Sequence, residues 1–350
     1  MSKGKIKVLV VEDSAVVRML LVHLLNADGE IEVIGIARNG REAMDFLVEK
    51  TPDVILMDIH MPEMDGFEAT RRIMETRPTP IVICSATAKL SEATISFRLM
   101  EAGAVACVEK PVGQEHADFE AVVSHLRKTI KLMSEVRVVR RWPKKDGARP
   151  APPPRRTSKR IEIIGIGAST GGPPVLQTIL SALPKDFPVP ILIVQHIAPG
   201  FLSGLADWLN QTTGLKVHVA AHAMQAMPGH VYLAPDNFHM GVRAGEVLTL
   251  SQDELKNGLR PSVAKLFESL AEAYASAAVG VLLTGMGKDG ASELKRMFDG
   301  GAVTIVQDKE SSVIHGMPGE AIALGAATHV LSADRIAGAL TMLVNRSVEA

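Results

Sequence analysis

Eight side chains in this chain have the types and spacing to do chemistry, and they fall into two groups. In the first, Glu12 and Asp13 follow the apolar run Ile6 to Val11, Asp58 ends Val54-Ile55-Leu56-Met57, Ser85 closes a fourth apolar run, and Lys110 precedes Pro111 after a fifth. If those runs are parallel strands, their carboxyl ends converge on one edge, where ligands of open α/β sheets sit. Three carboxylates gathered there repel one another unless a cation bridges them, and an all-oxygen set suits Mg²⁺. A hydroxyl and an ammonium beside a metal-bound aspartate are what a phosphoryl group on that aspartate needs. Taken singly, each acid also fits a helix cap or a turn.

The second group is Ser169, His196 and Asp289. Ser169 lies in Gly165-Ile166-Gly167-Ala168-Ser169-Thr170-Gly171-Gly172-Pro173, after one apolar run and before a helical pattern. Small residues on both sides allow a sharp turn that exposes its hydroxyl as a nucleophile. Gly165, Gly167 and Gly171 also fit a loose phosphate-cradling loop, and the segment alone fits a plain tight turn. His196 follows Gln195 at the end of another run, where it can act as a general base or simply bond nearby backbone. Asp289, in Thr284-Gly285-Met286-Gly287-Lys288-Asp289-Gly290, can orient that histidine or cap the next helix. A dinucleotide site needs an acid at the end of its second strand, but Asp186 precedes that strand and Gln195-His196 ends it. Three reactive types at three strand-to-helix junctions favour a triad, with backbone amides of the glycine-rich turns meeting the oxyanion. The order Ser, His, Asp differs from that of α/β-hydrolases and of trypsin-like and subtilisin-like proteases.

The elements that must position these residues are legible as alternating periodicities. Strand runs at 6–11, 33–37, 54–57, 81–85 and 104–108 alternate with helical spacing at 14–28, 40–49, 66–76, 91–102 and 115–132, which predicts a five-unit parallel α/β domain. A second α/β domain restarts at Ile161, with strands at 161–166, 191–195, 216–219, 230–234, 279–284 and 303–307. Its helices are expected at 173–182, 201–211, 261–276, 289–299 and 333–345, and 238–243 with 246–250 read as a hairpin. The domains are therefore placed at 1–132 and 160–346. Between them lies a linker, 133–159, and residues 136–160 hold ten Lys or Arg and five Pro. That segment cannot bury enough apolar surface to offset its ordering, and its charge either keeps a tether solvated or meets an acidic partner.

Composition narrows the function classes. With 38 basic and 39 acidic residues the formal charge is -1, which gives no bias toward nucleic acid. Cys84 and Cys107 are the only cysteines, so neither a disulfide framework nor a metal cluster is indicated. The amino terminus carries no leucine-rich signal, and no stretch approaches the roughly 18 apolar residues of a membrane span, so a cytoplasmic protein is expected. The lack of a coiled-coil pattern points to a monomer.

Residues 5–130 resemble the receiver domain of bacterial response regulators, on Glu12-Asp13, Asp58 followed by Met61-Pro62 and Asp65-Gly66, Ser85-Ala86 and Lys110-Pro111. The resemblance implies a flavodoxin-like fold and phosphotransfer from a histidine kinase to Asp58. It also implies Mg²⁺ held at the acidic set of Glu12, Asp13 and Asp58 with the backbone carbonyl of His60, and Ser85 and Lys110 sensing the phosphoryl group. The family's switch aromatic corresponds by spacing to Cys107. Residues 160–346 resemble the catalytic domain of the chemotaxis protein-glutamate methylesterase, on the Ser169 loop, Gln195-His196, Ala234-Pro235, the Thr284 to Gly290 loop, Gly316-Met317-Pro318 and Asp334-Arg335-Ile336. This second resemblance implies a Rossmann-like α/β esterase that needs no cofactor for hydrolysis and acts on glutamate γ-methyl esters of chemoreceptors. Ser169, His196 and Asp289 would be catalytic, Thr170 and the Met286 backbone would support the oxyanion, and receptor glutamines would be deamidated as a second activity. The expected regulation is docking of the first domain over the Ser169 edge, loosened by phosphorylation. The enzyme would be peripheral to membrane receptors without inserting.

Overall fold

The computed structural model describes residues 4–85, 98–100, 102–111, 119–136 and 160–345. The chain divides into two compact units between residues 145 and 146. The expected helix over 91–102, Ala86 and the basic segment from 137 to 159 lie wholly or largely outside the described residues.

In the first unit, β1 (Ile6–Val11), β2 (Ile31–Ala37), β3 (Val54–Asp58), β4 (Ile81–Ser85) and β5 (Ala106–Glu109) form a parallel sheet in the order β2-β1-β3-β4-β5. Every residue of β3 and β4 is buried, as expected of strands covered on both faces. Helices α1 (Ala15–Asn26), α2 (Gly40–Glu49) and α3 (Gly66–Thr76) start at Ser14, Asn39 and Asp65, whose side chains accept from backbone amides of the first turn. α1 buries Leu21, Leu24 and Leu25 on one stripe, each worth about 1.5–3 kcal/mol of transfer free energy. α4 (Phe119–Met133) closes this unit. β5 begins two residues later than its apolar run because the Gly103 and Ala104 amides bond Leu99 O and finish the preceding helical turn. Gly66 is required where it stands: a Cβ there would lie 2.3 Å from the carbonyl oxygen of Asp58.

The second unit carries seven parallel strands in the order β14-β13-β12-β6-β7-β9-β8. They are β6 (Ile163–Ala168), β7 (Ile191–Gln195), β8 (Lys216–Val219), β9 (His230–Leu233), β12 (Ala278–Leu282), β13 (Val303–Gln307) and β14 (His329–Leu331). β10 (His239–Arg243) and β11 (Val247–Ser251) form the separate antiparallel hairpin. The helices are α5 (Gly172–Ser181), α6 (Leu202–Thr213), α7 (Val263–Ala273), α8 (Ala291–Asp299), α9 (Met317–Ala323) and α10 (Ala333–Asn345). Two of these elements had no sequence expectation. β14 has three residues on a sheet edge with Val330 exposed, and α9 has seven, so neither spans enough periods to stand out.

The glycines of β6 let α7 lie against the strand. A Cβ on Gly165 would meet Leu270 Cδ1 at 2.3 Å, and one on Gly167 would meet Val263 Cγ1 at 2.3 Å. Gly165 and Gly167 thus serve strand–helix packing; they lie inside the strand and form no phosphate loop. Gly167→Ala should overpack this contact and destabilise the chain by about 1–3 kcal/mol. The midpoint of urea unfolding checks this, an unchanged midpoint counting against the close packing.

Candidate functional site

β1 and β3 are neighbours, so the residues at their carboxyl ends meet. Glu12, Asp13 and Asp58 each offer a carboxylate oxygen within 4.8 Å of the others. Glu12 and Asp58 are buried while Asp13 faces solvent. Lys110 Nζ lies 2.9 Å from Glu12 Oε2 and 2.7 Å from Asp58 Oδ1. Burial raises the pKa of Glu12, and Lys110 opposes this only in part. Burial also works against the charge on Lys110, but its hydrogen bonds to Asp58 and Glu12 outweigh it and push its pKa up. Ser85 is buried at the end of β4, and its carbonyl accepts from Lys110 N at 2.9 Å. His60 is exposed in the loop after β3. Cys107, the position matched to the switch aromatic, is partly buried on β5 and packs against the core.

An oxygen-only donor set suits a hard divalent cation. The three carboxylates and one ammonium formally leave two negative charges, which Mg²⁺ would balance. The residues therefore fit the ion.

In the second unit, β6 sits between β12 and β7, which brings three strand ends together in mid-sheet. The turn after β6 passes through Gly171 at φ 77°, a left-handed conformation that favours glycine, and Gly172 N donates to Ser169 O at 2.8 Å as α5 begins. His196 N donates to Ala168 O at 2.9 Å, extending the β6–β7 register by one residue and bringing His196 up beside Ser169. From the other side, Ser169 N donates to Thr284 O at 3.0 Å. Gly285 permits this approach, since a Cβ there would fall 2.7 Å from Ser169 Cβ.

His196 Nε2 lies 3.0 Å from Asp289 Oδ2, at an ion-pair distance. Asp289 is 2% exposed. Its carboxylate accepts from Ser262 Oγ at 2.7 Å and Asn257 Nδ2 at 2.9 Å on Oδ1, and from Val263 N at 2.7 Å on Oδ2. Burial opposes its ionisation, yet His196, Asn257 and Ser262 together hold its pKa below the ordinary carboxylate value. Asp289 does cap a helix, but not the next one. The carboxylate sits on the first turn of α7, whereas α8 is preceded by Gly290, which supplies no side-chain cap. A negative charge there is favoured by the helix dipole.

Several supporting residues had no role assigned from sequence. Gln195, 4% exposed, uses its one amide nitrogen to hold Ser169 O and His196 O, both at 2.8 Å. The Thr284 hydroxyl lies 2.9 Å from Thr170 O and accepts from Ile314 N, and Thr284 N donates to Gln307 Oε1 at 2.7 Å. Buried polar side chains at strand ends were the available signal, but which carbonyl each reaches depends on sheet order. Asn257 had one further local sign, the Asn-Gly dipeptide of a tight turn. Thr170 and Met286 are half-buried, and among the described residues their amides donate to no other group.

Comparison with known proteins agrees with both halves. Residues 164–340 match the family described as CheB methylesterase, and residues 8–120 match the response regulator receiver domain. A protein of Geobacter metallireducens named protein-glutamate methylesterase/protein-glutamine glutaminase 4 is 53% identical over 342 residues, covering 97% of this chain and 99% of its own length. A protein of Methanospirillum hungatei with the same name, numbered 2, is 44% identical over 346 residues, covering 97% of this chain and 99% of its own. The crystal structure of the Thermotoga maritima CheB methylesterase catalytic domain matches with a TM-score of 0.52 and 42% identity, over 53% of this chain and 99% of that one. Near full-length similarity, together with a receiver sheet and a second sheet that gathers Ser169, His196 and Asp289, places the chain in the CheB-type methylesterase family.

Proposed function

We propose that this chain hydrolyses γ-methyl esters of glutamate side chains on chemoreceptors, with receptor glutamines as a second substrate. The observation that carries the reading is the arrangement of the Ser169 turn, His196 and the buried Asp289 at adjoining strand ends. Because Nε2 of His196 faces Asp289, Nδ1 is the nitrogen left to take the proton of Ser169. Ser169 Oγ attacks the ester carbonyl, and the oxyanion that forms meets the amides of Thr170 and Met286. The tetrahedral adduct collapses, the imidazolium returns its proton to the leaving oxygen, and methanol departs. Water, deprotonated by His196, then releases the glutamate carboxylate from the acyl-enzyme. With a glutamine substrate only the leaving group differs, and ammonia departs instead.

Asp58 is proposed as the acceptor of a phosphoryl group from a histidine kinase, with Ser85 and Lys110 binding the phosphoryl oxygens. Asp13, Asp58 and the His60 carbonyl, beside Glu12, would hold Mg²⁺, which offsets the charge of phosphoryl transfer when bound. We place the receiver at 1–132, the linker at 133–159 and the esterase at 160–346.

The test is methanol release from methylated receptor by the full chain, comparing wild type with Ser169→Ala and His196→Ala. Activity preserved in both variants removes the hydrolase reading. Regulation has its own test. Wild type should hydrolyse faster with Mg²⁺ and a small phosphodonor, and Asp58→Asn should show no such response; equal rates for wild type with and without the donor would sink the regulatory part alone.

A further inference from the structure

Apart from His196, Asp289 is gripped by the first turn of α7 and the residue before it, with one further donor arriving from elsewhere among the described residues. That donor is Asn257, thirty-two residues away in the chain. Lys256 and Leu259 exchange backbone hydrogen bonds at 3.2 and 3.0 Å across Asn257 and Gly258, which have φ of 55° and 76°. Both central residues are left-handed, as in a two-residue type I′ turn, and asparagine followed by glycine is the pair that tolerates this. Lys256 Nζ anchors the turn to Glu268 Oε1 at 2.8 Å, and Arg260 Nη1 ties its base to Gln252 O and Asp253 O. The turn itself is exposed, and a Cβ on Gly258 would meet nothing within 4 Å. The left-handed φ admits asparagine at 257, and the 2.9 Å bond from Nδ2 to Asp289 Oδ1 gives its side chain a role beyond the turn.

We propose that Asn257 is a positioning residue for the hydrolytic reaction, holding Oδ1 of Asp289 so that Oδ2 stays directed at His196. This rests on the assignment of Ser169, His196 and Asp289 as the catalytic group. The amide is neutral, so it fixes the carboxylate without changing the charge that faces the imidazole.

Two variants keep the turn and change only the group. Glycine and aspartate both tolerate a left-handed φ, so Asn257→Gly removes the donor and Asn257→Asp replaces it with a second carboxylate. In the full chain acting on methylated receptor, Asn257→Gly should lower kcat per folded molecule roughly tenfold with KM unchanged, while the lost hydrogen bond to a charged group lowers the urea midpoint without unfolding the chain. Asn257→Asp should lower kcat further and move the acid limb of the kcat/KM pH profile upward, because added negative charge favours the imidazolium. A turn that serves only folding would lower the urea midpoint but leave kcat per folded molecule and the limb in place. Wild-type kcat in Asn257→Gly, or loss of activity in both variants only in step with loss of folded protein, overturns the proposal. Ser169→Ala run on the same substrate separates the two levels: if it still releases methanol, the underlying assignment fails, and if it is inert while Asn257→Gly is unaffected, the role of Asn257 alone fails.

Discussion

Ser169→Ala should lower kcat for methanol release by roughly 10⁴ to 10⁶, because removal of a nucleophile leaves only what binding and the oxyanion donors supply. The fold should not be disturbed. Ser169 is joined to its neighbours through its backbone, by Ser169 N to Thr284 O and by Gln195 Nε2 and Gly172 N to Ser169 O, whereas its hydroxyl makes no hydrogen bond among the described residues. The urea midpoint of the variant should therefore stay close to that of wild type. His196→Ala should cost a comparable factor, and the double variant should be no slower than the worse single one, since nucleophile and base act as a unit. Single-turnover release of labelled methanol measures all three. An additive double variant would mean that serine and histidine work separately, and Ser169→Ala within tenfold of wild type would exclude serine as nucleophile.

Asp289→Asn should reduce kcat by about 10⁴ through a different route. In the proposed mechanism Nε2 of His196, 3.0 Å from the carboxylate, carries the hydrogen and Nδ1 keeps the lone pair that accepts the serine proton. An amide can offer its own N–H to Nε2, which forces the hydrogen onto Nδ1 and leaves the ring unable to act as base toward Ser169. Stability should fall as well, by about 1–3 kcal/mol, because the carboxylate accepts from Ser262 and from the first amides of α7. The pH dependence has a definite sign. Although burial raises it, the folded pKa of Asp289 ends below its unfolded value, so its stabilising contribution is complete above the unfolded pKa of about 3.9 and is lost as pH falls through the folded pKa. The gap in unfolding free energy between wild type and Asp289→Asn should therefore narrow only under acid conditions. Urea titrations at neutral and acid pH check this, and a gap that widened on acidification would contradict the assignment of Asp289 as an ionised cap.

Apart from β14 and α9, the described strands and helices of both units were legible because each depends on a local period. The expected helices at 40–49 and 66–76 coincide with α2 and α3, where an apolar stripe at helical spacing follows a capping residue. Strands at 191–195, 216–219 and 303–307 likewise match β7, β8 and β13. The departures occur where local pattern and hydrogen bonding part company. Val279 to Thr284 is continuously apolar up to its last residue, but β12 ends at Leu282 because Thr284 N is taken by Gln307 rather than by a neighbouring strand. Ile161 is buried ahead of β6, which starts only at Ile163.

The candidate residues themselves were visible as reactive types at the ends of apolar runs, and the sheet orders bring them together. Glu12 and Asp58 converge because β1 pairs with β3, and Lys110 joins them because β5 follows β4 at the edge. The supporting residues were not visible in that way. Gln195 sits beside His196 in the chain, yet its value lies in reaching Ser169 O at the end of the neighbouring strand. Asp289 had two local readings, orienting acid or cap, and the structure combines them by setting it on a helix that begins twenty-six residues earlier. What the sequence alone determined was two α/β units, the chemical types at their strand ends and the order of those types along the chain, since periodicity and residue identity are local properties. What only the tertiary structure decided was which nitrogen of His196 faces the acid, which helix that acid caps, and that Asn257 reaches it, because those contacts depend on strand order and turn geometry between residues far apart in the chain.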